Sequence, residues 1–216
     1  MIKHQIFMIV AGLLCGSFLF GSFLPRIIKK IDVTELAEDH NPGTANAMKY
    51  AGVPVGVLCL IGDILKGALP VHCAIRMGLA TGSLFPLIMS APVFGHAYSL
   101  FHHGKGGKAI AVSFGVLIGL LPLNTELLAL LCFLYILNSA LKIRPHTRRT
   151  RITFLSFLAG ATVLMLAKRL SVEFWLGVIL LSGVVIRKNS VKQQNFEEKE
   201  KIDKIEEIDK IEEIVY

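Results

Sequence analysis

Gln5-Ile6-Phe7-Met8-Ile9-Val10-Ala11-Gly12-Leu13-Leu14-Cys15-Gly16-Ser17-Phe18-Leu19-Phe20-Gly21-Ser22-Phe23-Leu24-Pro25 runs for 21 residues without a charge. An α-helix needs about 20 apolar residues to cross the hydrocarbon core of a bilayer, so this stretch is read as a transmembrane span. Lys3 in front of it gives the basic flank of a signal peptide, but bulky Leu14 stands where a small residue would precede cleavage at Cys15, and the expectation is an uncleaved span. Further apolar stretches cover 51–75, 77–95, 109–123, 125–142, 152–167 and 171–186, which makes seven in all. The chain is 53% hydrophobic and 18% charged, whereas soluble domains carry about 25% charged residues. That balance excludes an ordinary soluble domain and predicts an all-α, polytopic membrane protein.

The distribution of charge orients the spans. The longer connections, 26–50, 96–108 and 143–151, fall on one side together with the C-terminus, and that side carries fourteen lysines and arginines. The opposite side has Lys3, Arg76, Lys168 and Arg169, and Lys66 lies inside a span. Positive charge stays cytoplasmic, so the N-terminus is expected outside and the C-terminus in the cytoplasm. Residues 1–192 then form the membrane domain and 193–216 a separate charged tail. Nine of the 16 acidic residues lie between Glu197 and Glu213, giving the tail −5 and residues 1–196 +12. Isoleucines at 202, 205, 208, 211 and 214 recur every three residues there, a spacing that drifts around a helix. The tail reads as a solvated, partly helical appendage or as a contact site for a protein partner. A basic body without a stripe of basic and aromatic residues points to an anionic ligand or membrane lipids rather than nucleic acid.

The polar groups gather in two of the basic loops. Gly104-Lys105-Gly106-Gly107-Lys108 has the makings of an anion site, because glycines let backbone N–H groups face phosphate oxygens and two lysines neutralise charge ahead of a helix N-terminus. The spacing is not that of a nucleotide P-loop, and the plain alternative is a loop lying on lipid headgroups. Asn41, Gly43, Asn46 and Lys49 in the first loop supply amides, a backbone N–H and a cation suited to the same ligand. The alternative there is a turn and cap, with Thr44 or Asn46 capping the second span. Asp63 and Lys66 stand three apart on one face of that span, as a structural ion pair or as a pair orienting the site. His96 is the acid–base candidate, whereas His102 and His103 read as interfacial. Cys15, Cys59, Cys73 and Cys132 all lie in apolar stretches without metal-ligand spacing and read as packing thiols. No metal or other cofactor is suggested.

These residues resemble a known family, the integral-membrane, acyl-phosphate-dependent glycerol-3-phosphate acyltransferases of bacteria, the PlsY type. Asp39-His40-Asn41-Pro42-Gly43-Thr44-Ala45-Asn46-Ala47-Met48-Lys49 is similar to the family's Gly-Ser-Gly-Asn-x-Gly-Ala-Thr-Asn-Val-x-Arg motif. Gly62-Asp63-Ile64-Leu65-Lys66-Gly67-Ala68-Leu69-Pro70 resembles its Asp-x-x-Lys-Gly-x-x-Pro segment, and Gly95, His96, Phe101, Lys105, Gly106, Gly107 and Lys108 match its second motif. Asp39 replaces a serine, Lys49 an arginine and Ala109 a glycine, and the third motif is reduced to Ile186-Arg187-Lys188-Asn189-Ser190-Val191-Lys192 without its histidine. The chain thus resembles a divergent member.

The resemblance implies transfer of a fatty acyl group from acyl phosphate to the 1-hydroxyl of glycerol-3-phosphate, by a multi-pass protein of the bacterial plasma membrane. It implies catalytic roles for His96, Lys105 and Asn189. Asn41, Gly43, Asn46, Lys49, Gly104, Gly106, Gly107, Lys108 and Arg187 would hold phosphate, supported by Asp39, Asp63 and Lys66. The competing reading is a non-catalytic relative that binds or transports an anionic lipid or phosphometabolite, or regulates a partner.

Overall fold

The computed structural model describes residues 1–190, and these contain helices and no strand. The expected tail at 193–216, with its isoleucine repeat, and Val191 and Lys192 lie outside the described residues. In chain order the helices are α1 (Ile2–Ser17), α2 (Phe20–Lys29), α3 (Val33–Leu36), α4 (Thr44–Ala51), α5 (Val53–Arg76), α6 (Phe85–Ala97), α7 (Ile110–Gly119), α8 (Glu126–Ala140) and α9 (His146–Leu166). A tenth, α10, occupies 172–190.

Each expected apolar stretch contains a helix, but their lengths are unequal. Among the described residues, α5 with 24 residues and α9 with 21 are long and apolar enough to cross a membrane, and the bent pair α1–α2 makes a third if counted as one span. The stretch 77–95 is only partly helical: residues 77–84 form turns, and α6 starts at Phe85. At about 1.5 Å per residue, α6, α7 and α8, with 13, 10 and 15 residues, each fall short of a core about 30 Å thick. The second stretch is also divided, because Gly52 at φ +94 turns the chain between α4 and α5.

The first span is broken at Phe18-Leu19, where extended backbone bends α1 from α2 by 42°. A break in apolar surroundings frees carbonyls that need other donors. Lys66 Nζ donates to the Phe18 carbonyl at 2.6 Å, and Cys59 Sγ donates to that of Phe20 at 3.3 Å. Cys59 is therefore more than packing volume, and the broken helix is stitched to α5.

Helix α5 is polar inside and apolar outside. It buries Asp63, Lys66 and Gly67 and exposes Leu58, Ile61, Leu65 and Leu69, the pattern of a helix whose outer face meets lipid. It packs on α7 as closely as glycine permits: a Cβ on Gly115 would fall on the Ile64 carbonyl, and one on Gly67 on the Val112 carbonyl. A core of Phe85, Ile88, Met89, Leu117, Phe154, Phe157 and Leu181 joins α6, α7, α9 and α10. This scaffold leaves the segments 37–51 and 98–109 facing one another at one end of α5.

Candidate active site

The first of these segments is tied together by side chains. Asn46, one turn into α4, donates through Nδ2 to Asp39 Oδ1 at 2.8 Å and to the Asn41 carbonyl at 2.9 Å. The Asn41 N–H also donates to Asp39 Oδ1, at 3.2 Å. Capping turns out differently from expectation. The N-cap of α4 is Gly43, with no side-chain cap bond, because Asn46 reaches back to the loop instead, and Thr44 is already the first helical residue.

The second segment is held by backbone bonds and close packing. The Gly107 N–H donates to the His96 carbonyl at 3.0 Å and the Gly104 N–H to the Ser99 carbonyl at 2.9 Å. Gly43 likewise donates its N–H to the Asn41 carbonyl at 2.8 Å. These three N–H groups, expected to face phosphate, are directed into the protein. Glycine is required at 106 and 107 for space, since a Cβ at Gly106 would fall on the His96 carbonyl and one at Gly107 on His96 Nε2.

Beneath both segments lies a buried cluster. Lys66 Nζ is 2.8 Å from Asp63 Oδ1, 2.7 Å from His96 Nδ1 and 2.6 Å from the Phe18 carbonyl. An ammonium only donates, so the Phe18 carbonyl and His96 Nδ1 accept from it, while Asp63 is its counter-charge. The imidazole proton then sits on Nε2, the nitrogen against Gly107. His96 in this state offers a hydrogen-bond donor rather than a vacant base at Nε2.

The segments enclose a cavity of about 460 Å³. Asp39, Asn41, Gly43, Thr44, Asn46, Asp63, His96 and Lys108 line its polar part, and Leu60, Ile110, Ala111, Phe114 and Tyr135 its apolar part. Lys108 Nζ pairs with Asp39 Oδ2 at 2.8 Å, which bolts the two segments to each other. Polar groups converging at one end of an apolar hollow are the usual anatomy of a small-ligand site. Among the described residues, no group of three or more His, Cys, Asp or Glu is arranged to hold a metal ion.

Other expected site residues stand outside that lining. Lys49 is exposed, with its ammonium 4.9 Å over the Tyr50 ring. Gly104, Lys105 and Arg187 are exposed, and Gly106 packs behind His96. Asn189 is fully buried, donating to the Val185 carbonyl at 2.7 Å and, at 3.5 Å, to that of Lys108, so it braces the second segment from α10. Conversely, His146 and Tyr135 line the cavity without having been picked out. The available signals were weak: His146 opens α9 inside a loop read only for its charge, and Tyr135 is a polar tip in an apolar helix.

Comparison with known proteins bears on the family and the fold. Residues 6–196 match the model of the family described as glycerol-3-phosphate acyltransferase. A protein of that name from Solidesulfovibrio magneticus is 36% identical over 124 residues, 57% of this chain and 61% of that one. One from Shewanella woodyi is 35% identical over 124 residues, 56% and 59% of the two chains. The matched region thus spans about three fifths of these relatives' length. The crystal structure of PlsY, an integral membrane glycerol 3-phosphate acyltransferase, in its glycerol 3-phosphate form, has the same fold, with a TM-score of 0.75 at 23% identity over 89% of this chain and 92% of that one. With the family model covering nearly the whole described chain, this protein belongs to the glycerol-3-phosphate acyltransferase family.

Proposed function

We propose that the chain is an integral-membrane enzyme that transfers an acyl group from acyl phosphate to the 1-hydroxyl of glycerol-3-phosphate, giving lysophosphatidate and inorganic phosphate for phospholipid synthesis. The observation that carries this reading is the convergence of the two family-like segments on one cavity, polar at Asp39, Asn46, His96 and Lys108 and apolar at Leu60, Ile110 and Phe114. An acyl phosphate needs both kinds of wall. Seven crossings of a bacterial plasma membrane, with the N-terminus outside and the C-terminus in the cytoplasm, complete the reading. The short helices α6 to α8 then cross with the help of their flanking turns.

Among the described residues that line the cavity, no serine or cysteine stands beside a base, which favours direct attack over an acyl-enzyme. The glycerol oxygen bonds to the acyl carbon, the bond from that carbon to the phosphate oxygen breaks, and phosphate leaves with the electron pair. With the His96 proton on Nε2, the hydroxyl proton goes to a phosphate oxygen, and the imidazole N–H stabilises developing negative charge. Lys108 and Asn46 bind phosphate within the cavity. Lys105, Lys49 and Arg187 act from outside its lining as exposed cations that attract anions, and Asn189 acts through the Lys108 backbone. The charged tail serves a partner protein or solvation rather than turnover.

Purified protein in detergent, given palmitoyl phosphate, is expected to release phosphate only when glycerol-3-phosphate is present, and Lys108→Ala is expected to lose that release. Release without an acceptor overturns the reading in favour of acyl phosphate hydrolysis, and none at all from folded wild type overturns it in favour of a binding protein. Removal of 193–216 is expected to leave the release intact.

A further inference from the structure

The charges of the cavity are unusual for a site that must receive two phosphates. Among the described residues that line it, Lys108 is the one lysine or arginine, while Asp39 and Asp63 are both carboxylates. Asp63 is compensated from within the protein by Lys66 at 2.8 Å. Asp39 instead takes Lys108 itself, at 2.8 Å through Oδ2, while its Oδ1 accepts from the Asn46 amide at 2.8 Å and the Asn41 N–H at 3.2 Å. An ammonium, a side-chain amide and a backbone N–H converging on one anion form a donor set suited to a phosphate monoester.

We propose that Asp39 is a resident anion of this site: its carboxylate occupies the Lys108 ammonium and the Asn46 amide that an incoming phosphate would take, so phosphate binds by displacing it. The proposal rests on the reading of the cavity as a phosphate site. The side chain of Asp39 is 31% exposed, enough to turn toward water when displaced. The serine that the resembled motif carries at this position is neutral and offers Lys108 no competing charge. Asp39 therefore weakens ground-state binding of every phosphate species, substrate and product alike. It thereby opposes retention of the inorganic phosphate that each turnover produces.

The test uses the full chain, purified in a neutral detergent, with calorimetric titration of inorganic phosphate and, separately, of glycerol-3-phosphate. Asp39→Asn and Asp39→Ser are expected to bind phosphate about tenfold more tightly than wild type, equivalent to about 1.4 kcal/mol, while Asp39→Glu stays near wild type. KM for glycerol-3-phosphate is expected to fall in parallel, with no gain in kcat. Should Asp39→Asn not purify as folded protein, Asp39→Ser decides. Equal or weaker phosphate binding by the folded neutral variants overturns the proposal and makes Asp39 a residue that positions Lys108. Turnover is a separate readout. Tighter phosphate binding without acyl transfer in any variant supports the resident anion and removes the acyltransferase reading, whereas acyl transfer without tighter binding does the reverse.

Discussion

The two segments that close the cavity are built on opposite principles. The first, 37–51, is organised by side chains: Asn46 spans Asp39 and Asn41, and Asp39 reaches across to Lys108. The second, 98–109, is organised where it meets His96 by backbone bonds to the Ser99 and His96 carbonyls and by glycines that leave no room for a Cβ, and is anchored at its start by Ser99 Oγ, which donates to the Ser17 carbonyl at 2.6 Å. A segment held by side chains can be retuned one residue at a time without losing its path. A segment held by sterics tolerates almost no change where it touches the buried cluster. The departures from the resembled motifs avoid the glycines packed on His96: Asp39 and Lys49 lie in the first segment, and in the second Ala109 follows an unbroken Lys105-Gly106-Gly107-Lys108.

Lys66 holds His96, on which the second segment packs, and the break in the first span, so its removal is expected to have the largest effect. Lys66→Met leaves Asp63 buried without its counter-charge and takes the donor from both the Phe18 carbonyl and His96 Nδ1. The expected loss is about 3–5 kcal/mol of stability, read as a lowered unfolding midpoint in detergent, with turnover abolished. The double variant Asp63→Asn/Lys66→Met is expected to recover part of the stability and none of the turnover. A Lys66→Met protein as stable as wild type would show that the pair is not what holds the broken first span to α5.

Gly107→Ala and Asn46→Ala then separate the two principles. A Cβ at 107 meets His96 Nε2 and forces apart the second segment and α6, an overpacking expected to cost about 1–3 kcal/mol and to reduce turnover at least a hundredfold. Asn46→Ala removes two hydrogen bonds, one of them to a carboxylate, with an expected loss of about 1–2 kcal/mol. Turnover is expected to fall less than in Gly107→Ala, because the backbone path of the first segment survives. The reverse ranking in a side-by-side assay would mean that side-chain bonds, not glycine packing, set the geometry of the site.

Most of the fold and much of the site were legible in the sequence because both depend on local pattern. Bilayer thickness sets the length of an apolar run, and each of the seven runs contains a helix. The polar motifs marked two segments that the fold brings together around one cavity. What escaped was decided by tertiary distance. Nothing local indicates that Asp39 faces Lys108 or that Lys66 reaches the Phe18 carbonyl. The direction of the glycine N–H groups also depends on which carbonyl the fold brings near, so Gly104 and Gly107 serve internal acceptors. His146 and Tyr135 enter the cavity from α9 and α8, which carry no motif to flag them.

The smallest expected effect sharpens the contrast most finely, because each segment has a residue with a side chain in left-handed backbone where the resembled motif has glycine. His40 sits at φ +47 in the first segment and Ala109 at φ +62 in the second. Such a conformation costs an L-residue about 1–2 kcal/mol. His40 offsets this with its ring, whose Nδ1–H donates to the Thr34 carbonyl at 2.8 Å, again a side-chain solution. Ala109 has no polar side chain to make such a bond, and it is buried at the N-cap of α7. Ala109→Gly is accordingly expected to stabilise the protein by about 0.5–1 kcal/mol once the greater chain entropy of glycine is deducted, while His40→Gly is expected to be close to neutral. Unfolding midpoints of the two single variants decide the matter. Equal gains would mean that the His40 ring does not compensate its backbone and that the first segment, like the second, is governed by main-chain geometry alone.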